Sequence, residues 1–150
     1  MADIKLIKQL REETQASISD IKMALEESKG DSKNAIEWLK KRGLEKAEKK
    51  TGRETGEGLV EAYIHQNGKV GVLVELLCET DFVARTEEFK KLAHEVAMQV
   101  AAMDPKNVDA LLKQEYIRDN SQTIEQLVKG VIGKLGENIK INSFSRIEIK

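Results

Sequence analysis

Asn67-Gly68 lies between two stretches in which apolar and polar residues alternate, Leu59 to Gln66 and Lys69 to Glu79. Asn-Gly supplies two left-handed residues at low cost, and the tight turn they make matches the twist of the strands on either side. No other feature constrains the chain as strongly, because it dictates an antiparallel hairpin and its register together. Tyr63 must face Val72, and Glu61 must face Val74. The second strand is apolar on both sides, with Val70, Val72, Val74 and Leu76 on one face and Leu73 and Leu77 on the other. A strand of that kind has to be covered twice. Ile139, Ile141, Ile147 and Ile149 alternate as a further strand near the C-terminus.

Elsewhere the period is helical. Asp3 precedes Ile4, Ile7 and Leu10, which share one face with Leu6 beside them. A second helix starts with Ser17 or Ser19 as its cap and buries Ile21, Ala24 and Leu25. Gly30 stops it and Asp31 caps a third, where Ala35, Ile36 and Leu39 align. Gly43 is expected to end the third helix, with Leu39 and Leu44 at the two positions that touch in a Schellman ending. Residues 45–55 are dense in charge and read as a hinge or a solvated helical extension. A long helix carries Phe89, Leu92, Ala93, Val96, Ala97 and Val100 on one stripe and stops at Asp104-Pro105. A short helix is expected from Val108 to Tyr116, and a longer one from Ile124 to Leu135, ended by Gly136. Gly130 and Gly133 inside that helix cost about 1 kcal/mol each against alanine, which suggests that a neighbouring element comes close there.

Aromatic residues make up only 4% of the chain and Pro105 is the one proline, so aliphatic side chains must pack the core. A β-sandwich and a base-stacking platform are both disfavoured. The expected fold class is α+β, divided into a three-helix unit at 1–44, a charged hinge at 45–55 and an α+β core at 56–150. That core holds a three-stranded antiparallel sheet packed with helices. The helices foreseen cover only one face of the hairpin's second strand. A homodimer whose open sheet faces meet on a two-fold axis is therefore expected.

A net charge of −1 argues against binding nucleic acid directly through bulk charge. The single cysteine, Cys78, excludes an intrachain disulfide framework and a cysteine-rich zinc site. No signal-peptide pattern and no apolar run of membrane-spanning length occur, so a cytoplasmic protein without membrane contact is expected. Phosphate-loop, nucleophile-elbow and metallohydrolase motifs are absent. His65 and His94 have no acidic partner at motif spacing, and no metal, cofactor or catalytic residue is expected. Cys78 reads as a small buried side chain.

Thr80-Asp81-Phe82-Val83 has two readings. Thr80 or Asp81 caps the next helix while Phe82 packs as a hydrophobic staple. Alternatively, the segment is a projecting wedge, an apolar ring with an acid beside it. Cys78-Glu79-Thr80-Asp81-Phe82-Val83-Ala84 resembles the hallmark of the bacterial elongation factor Ts family. So do Leu10-Arg11-Glu12-Glu13-Thr14, Lys22-Met23-Ala24-Leu25 with Gly30-Asp31 after it, Glu57-Gly58-Leu59-Val60, and Gly136-Glu137-Asn138-Ile139. The matches run in order along nearly the whole chain. The chain departs from the family's pattern at Gln15-Ala16-Ser17-Ile18, where a glycine-and-methionine turn is usual, and at Ile21, where a cysteine is common. It also has one short core unit, where long members have two.

The resemblance implies a ubiquitin-associated-like fold for residues 1–44. It implies nucleotide exchange on the translational GTPase elongation factor Tu, that is, GDP release without covalent chemistry. It further implies that Asp81 and Phe82, flanked by Thr80 and Val83, enter that GTPase and dislodge the groups that hold its Mg²⁺. Arg11 and Ile18 match positions of the N-terminal unit that touch the GTPase. Two alternatives belong to other classes. One is an adaptor that holds an unrelated partner through the helical unit, and the other is a hydrolase using His65 and Cys78.

Overall fold

The computed structural model describes residues 3–150. Strands β1 (Glu57–Ile64) and β2 (Val70–Cys78) pair antiparallel in the expected register, with Tyr63 opposite Val72 and Glu61 opposite Val74. The turn itself differs from the expectation: of Asn67 and Gly68 only Gly68 is left-handed, its N–H donates to the His65 carbonyl at 2.7 Å, and the Asn67 side chain accepts from the Lys69 N–H instead. Strand β5 (Ile139–Glu148) pairs with the other edge of β2, so the sheet order is β1-β2-β5. The β2–β5 register shifts after Glu75, because Glu75 lies opposite Ser143 and Leu76 opposite Ile141. Asn142 is the extra residue, and its amide bonds back to the Glu75 carboxylate. Such a bulge sharpens the local twist. Gly58 has φ +152°, and a Cβ there would come within 2.1 Å of the Leu76 carbonyl oxygen. Only glycine fits that close approach.

The inner face of the sheet carries Val72, Val74, Leu76, Cys78, Ile139 and Ile141, all buried. Helix α5 (Glu87–Met103) lies against it and buries Phe89, Leu92, Ala93, Val96, Ala97 and Val100. Thr86 caps the start of α5, and Asp104 takes the left-handed conformation just before Pro105. Helix α7 (Ile124–Leu135) adds Ile124, Val128 and Ile132. Its Thr123 and Gln126 satisfy each other's backbone N–H groups in a capping box.

Helices α1 (Ile4–Thr14) and α2 (Ile18–Glu27) and the first turns of α3 (Ser32–Lys50) enclose a separate small core. Leu10, Ile21, Ala24, Leu25, Ala35 and Leu39 fill it, with Trp38 half-buried at its edge. Asp3, Ser17 and Asp31 are the caps. Ser17 rather than Ser19 starts α2. The Asp20 side chain pairs with Lys46 of α3.

Two expectations need correction. Helix α3 does not stop at Gly43, and no Schellman ending forms there. The helix continues to Lys50, so of the expected hinge only residues 51–55 lie outside helix. The reason is tertiary. Past Gly43, α3 packs on α7, Ala47 is buried in the main core, and Glu48 pairs with Lys129. Burial and a backbone crossing at Gly43 outweigh the glycine's weak helix propensity. The second correction concerns 108–116. Helix α6 (Val108–Lys113) is shorter than the sequence pattern suggests, and a two-stranded ribbon follows, β3 (Glu115–Tyr116) with β4 (Asp119–Thr123). The fully buried Gln99 clamps this ribbon. Its amide N–H donates to the Gln114 side chain and the Glu115 carbonyl, and its oxygen accepts from the Ile117 N–H. A buried amide must find such partners, and here they draw the chain out of helix.

Candidate functional site

Strand β2 ends at Cys78, whose thiol donates to the Thr80 carbonyl at 3.1 Å. The chain then makes a single helical turn, α4 (Asp81–Ala84), before α5 begins. Thr80 is its N-cap, and its hydroxyl oxygen accepts from the Val83 N–H. Thr86, the cap of α5, donates its hydroxyl to the Val83 carbonyl at 2.7 Å. One turn between two threonine caps leaves little freedom. Val83 and Ala84 face the main core and are buried. Phe82, on the opposite side of the turn, is 76% exposed. The capping half of the first reading therefore describes Thr80, but Phe82 is no staple. Asp81 points outward beside it and pairs with Arg85 at 2.7 Å, both side chains in contact with solvent.

The turn stands on a carboxylate from another part of the chain. Glu137 Oε1 accepts from the backbone N–H of Glu79 at 3.2 Å and of Thr80 at 2.9 Å, and Oε2 accepts the Thr80 hydroxyl at 2.7 Å. Because that hydrogen goes to Glu137, the lone pairs of Thr80 Oγ1 are left to face Val83. Glu79 returns the contact, for its carboxylate accepts from the Asn138 N–H at 3.0 Å and lies 3.6 Å from Arg53. The Asn138 side chain donates to the Arg53 carbonyl at 2.9 Å. Gly136, left-handed at φ 76°, ends α7 and directs Glu137 and Asn138 to this spot. Glu137 is 57 residues from Thr80, beyond any local periodicity. Its place in the Gly136-Glu137-Asn138-Ile139 motif was the one signal in the sequence.

The other chemistry-bearing side chains do not gather. Burial, reinforced by the charge of Glu137, pushes the Cys78 thiol up to about 11, so it stays protonated and a poor nucleophile. Cys78 faces Glu57 at one end of the hairpin, whereas His65 follows Ile64 at the other, so the two cannot act together. His65 is exposed near the Tyr63 hydroxyl, and His94 meets the edge of the Tyr63 ring. Among the described residues no three His, Cys, Asp or Glu side chains are grouped to hold a metal ion. No described helix is long and apolar enough to cross a membrane.

Arg11 and Ile18 stand apart from α4, on the elements of the small N-terminal core. Ile18 opens α2 and is 47% exposed, with the exposed Met23 five residues on. Arg11 lines a cleft of about 740 Å³ between the three-helix unit and α7, along with Lys40, Leu127 and Gly130.

Comparison with known proteins gives a consistent result. A family model described as elongation factor TS matches residues 79–150. Elongation factor Ts of Rippkaea orientalis is 43% identical over 194 residues, covering 97% of this chain and 78% of that protein. Elongation factor Ts of Thermotoga neapolitana is 42% identical over 187 residues, covering 96% and 95%. That of a Synechocystis strain is 40% identical over 197 residues, covering 99% and 90%. Each aligned stretch exceeds the 150 residues of this chain, so these relatives carry positions that have no residue here.

Proposed function

This chain belongs to the elongation factor Ts family, and from that premise we propose that it is the nucleotide exchange factor of elongation factor Tu. It speeds GDP release in translation elongation, acts in the cytoplasm, and does so by binding alone, with no covalent step, no cofactor and no direct contact with nucleic acid. The observation that carries the reading is the exposure of Phe82. Leaving most of an aromatic ring in water forgoes about 2 kcal/mol of burial energy, and here Val83 next to it is buried instead. A ring held out on a doubly capped turn, with an acid at its side, suits insertion into a partner.

Exchange is a thermodynamic cycle. If the factor lowers the GTPase's affinity for GDP, GDP must lower the GTPase's affinity for the factor by the same ratio. Some contact must therefore be favourable only when the nucleotide site is disturbed. Phe82 makes that contact, entering a cleft that opens as the Mg²⁺ site is dislodged. Asp81 enters with it, exchanging Arg85 for a partner's donor at small cost, since a solvated pair of this kind is worth about 1 kcal/mol or less. Thr80 and Val83 hold the turn. Arg11 and Ile18, on the three-helix unit, form a second contact that keeps the factor on the GTPase.

A second element of the proposal is self-association. The outer face of the sheet carries Val60, Ile64, Leu73 and Ile147, each more than half exposed. Ala62 faces Leu73 and Gly71 faces both Ile64 and Ile147, so these side chains form one continuous strip. Two copies cover it by meeting face to face on a two-fold axis. A dimer mass in light scattering at tens of micromolar supports this, with Leu73→Asp returning a folded monomer. A monomeric wild type at that concentration refutes it.

The test of the exchange function is release of labelled GDP from purified elongation factor Tu, with this chain added at increasing concentration. Faster release with each addition is expected. Release that does not change at micromolar factor overturns the proposal.

A further inference from the structure

We propose that Glu137 is a positioning residue for exchange, and that its carboxylate holds the Thr80–Val83 turn in the one geometry that presents Phe82. The inference rests on the exchange reading above and goes beyond it, by assigning a role to a residue that lies outside the projecting turn.

Four donors meet at this turn, and a single side chain organises them. The backbone N–H of Glu79 and of Thr80 converge on Glu137 Oε1, and the Thr80 hydroxyl goes to Oε2. The fourth donor, the Val83 N–H, goes to Thr80 Oγ1, which is aimed correctly because its own hydrogen is committed to Glu137. Hydrogen bonds to a charged acceptor are shorter and stronger than neutral ones, and linked bonds reinforce each other. A helix of four residues has no cooperative length to hold itself, so its conformation depends on these end contacts. Without Glu137 the Thr80 hydroxyl rotates freely and the two N–H groups face water. The turn then samples other conformations, and Phe82 leaves its projecting position for part of the time. Binding to the GTPase must reorder it, which lowers the rate in proportion to the competent fraction. Asn138, Glu79 and Arg53 brace the same point from below, so the carboxylate does not move to follow the turn.

The experiment compares wild type, Glu137→Ala, Glu137→Gln, Phe82→Ala and the double variant Glu137→Ala/Phe82→Ala. Each is measured for stimulated GDP release at subsaturating factor and for amide hydrogen exchange at residues 79–84. Glu137→Ala is expected to slow release about ten-fold or more, the worth of one charge-assisted hydrogen bond. It should also speed amide exchange at Thr80 and Val83 by a similar factor. Glu137→Gln keeps one acceptor oxygen for the two backbone N–H groups but loses the one that takes the Thr80 hydroxyl, so it should recover only part of both losses and stay about three-fold or more below wild type. In the Phe82→Ala background, removing Glu137 should change release by about two-fold or less, because a residue that acts through the ring has nothing left to position.

Wild-type release and unchanged exchange in Glu137→Ala would overturn the inference. So would losses from Glu137→Ala and Phe82→Ala that multiply in the double variant. If Glu137→Ala fails to fold, the Glu137→Gln variant decides through the same two measurements, with partial losses in both expected and wild-type values refuting the inference. If wild type itself releases no GDP, the exchange reading falls. Protected amides at 79–84 that stay protected in Glu137→Ala would then separately refute the positioning role.

Discussion

Replacing glycine by alanine at three helical positions should give opposite signs, and the reason can be read from one helix crossing. Gly43 of α3 and Gly133 of α7 meet where the two helices pass. A Cβ built on Gly133 lies 2.9 Å from the Gly43 carbonyl oxygen and 3.1 Å from its Cα, both backbone atoms that cannot turn aside. A Cβ on Gly43 or on Gly130 meets nothing within 4 Å. In open space the exchange gains helix propensity, about 0.5–1 kcal/mol. At Gly133 the same gain is set against pushing α3 away from α7, an overpacking cost of about 1–3 kcal/mol. Gly43→Ala and Gly130→Ala should therefore stabilise the chain. Gly133→Ala should lie about 1–3 kcal/mol below them, near or under wild type. For a chain of this size that is a gap of roughly 2–10 °C in Tm. Urea unfolding followed by circular dichroism, at one protein concentration for all variants, provides the assay. A Gly133→Ala variant as stabilised as Gly130→Ala would refute the crossing and, with it, the explanation of why α3 continues past Gly43.

Lys46 beside Asp20 holds that carboxyl below its usual range. A depressed carboxyl contributes stability that is present above the ordinary carboxylate pKa and is lost as pH falls through the lowered value. The stability gap between wild type and Asp20→Asn should thus be steady from about pH 5 upward, near 1 kcal/mol, and close below about pH 4. A gap that widens on acidification would contradict the pairing. Cys78, raised to about 11 and fully buried, should react with iodoacetamide at pH 8 at least about a hundred-fold more slowly than a free thiol. Labelling at the free-thiol rate would mean that the strand end opens readily.

Much of the architecture was legible because local rules and tertiary packing agree. Asn67-Gly68 settled the hairpin register, and the three N-terminal caps, the stop at Asp104-Pro105 and the left-handed Gly136 are all short-range signals. The failures share one physical cause. At Gly43 and in the ribbon after Lys113, a contact from a distant element overrules the local preference. The partner of Gly43 is Gly133, and the clamp on residues 114–117 is Gln99. Neither distance in sequence matches a helix or strand period. The candidate site divides in the same way. The oddity of an aromatic beside an acid after a capping threonine was visible at Thr80-Asp81-Phe82-Val83. Whether Phe82 packs or projects depends on how one turn of helix is rotated, and that rotation is set by Val83 in the core and Glu137 beneath the cap. The acid is supplied from the loop after α7, so no reading of the segment alone could have found it.

The central claim is that Phe82 converts binding into nucleotide release, and stopped-flow measurement of labelled GDP leaving elongation factor Tu tests it directly. A buried aromatic anchor carries about 2–4 kcal/mol at an interface. If most of that is expressed in the release transition state, Phe82→Ala should slow stimulated release by about ten- to several-hundred-fold at subsaturating factor. Asp81→Ala should cost less. Since the ring is 76% exposed in the free chain, Phe82→Ala should also melt within a few degrees of wild type. A Phe82→Ala variant that folds normally and releases GDP as fast as wild type would contradict the account.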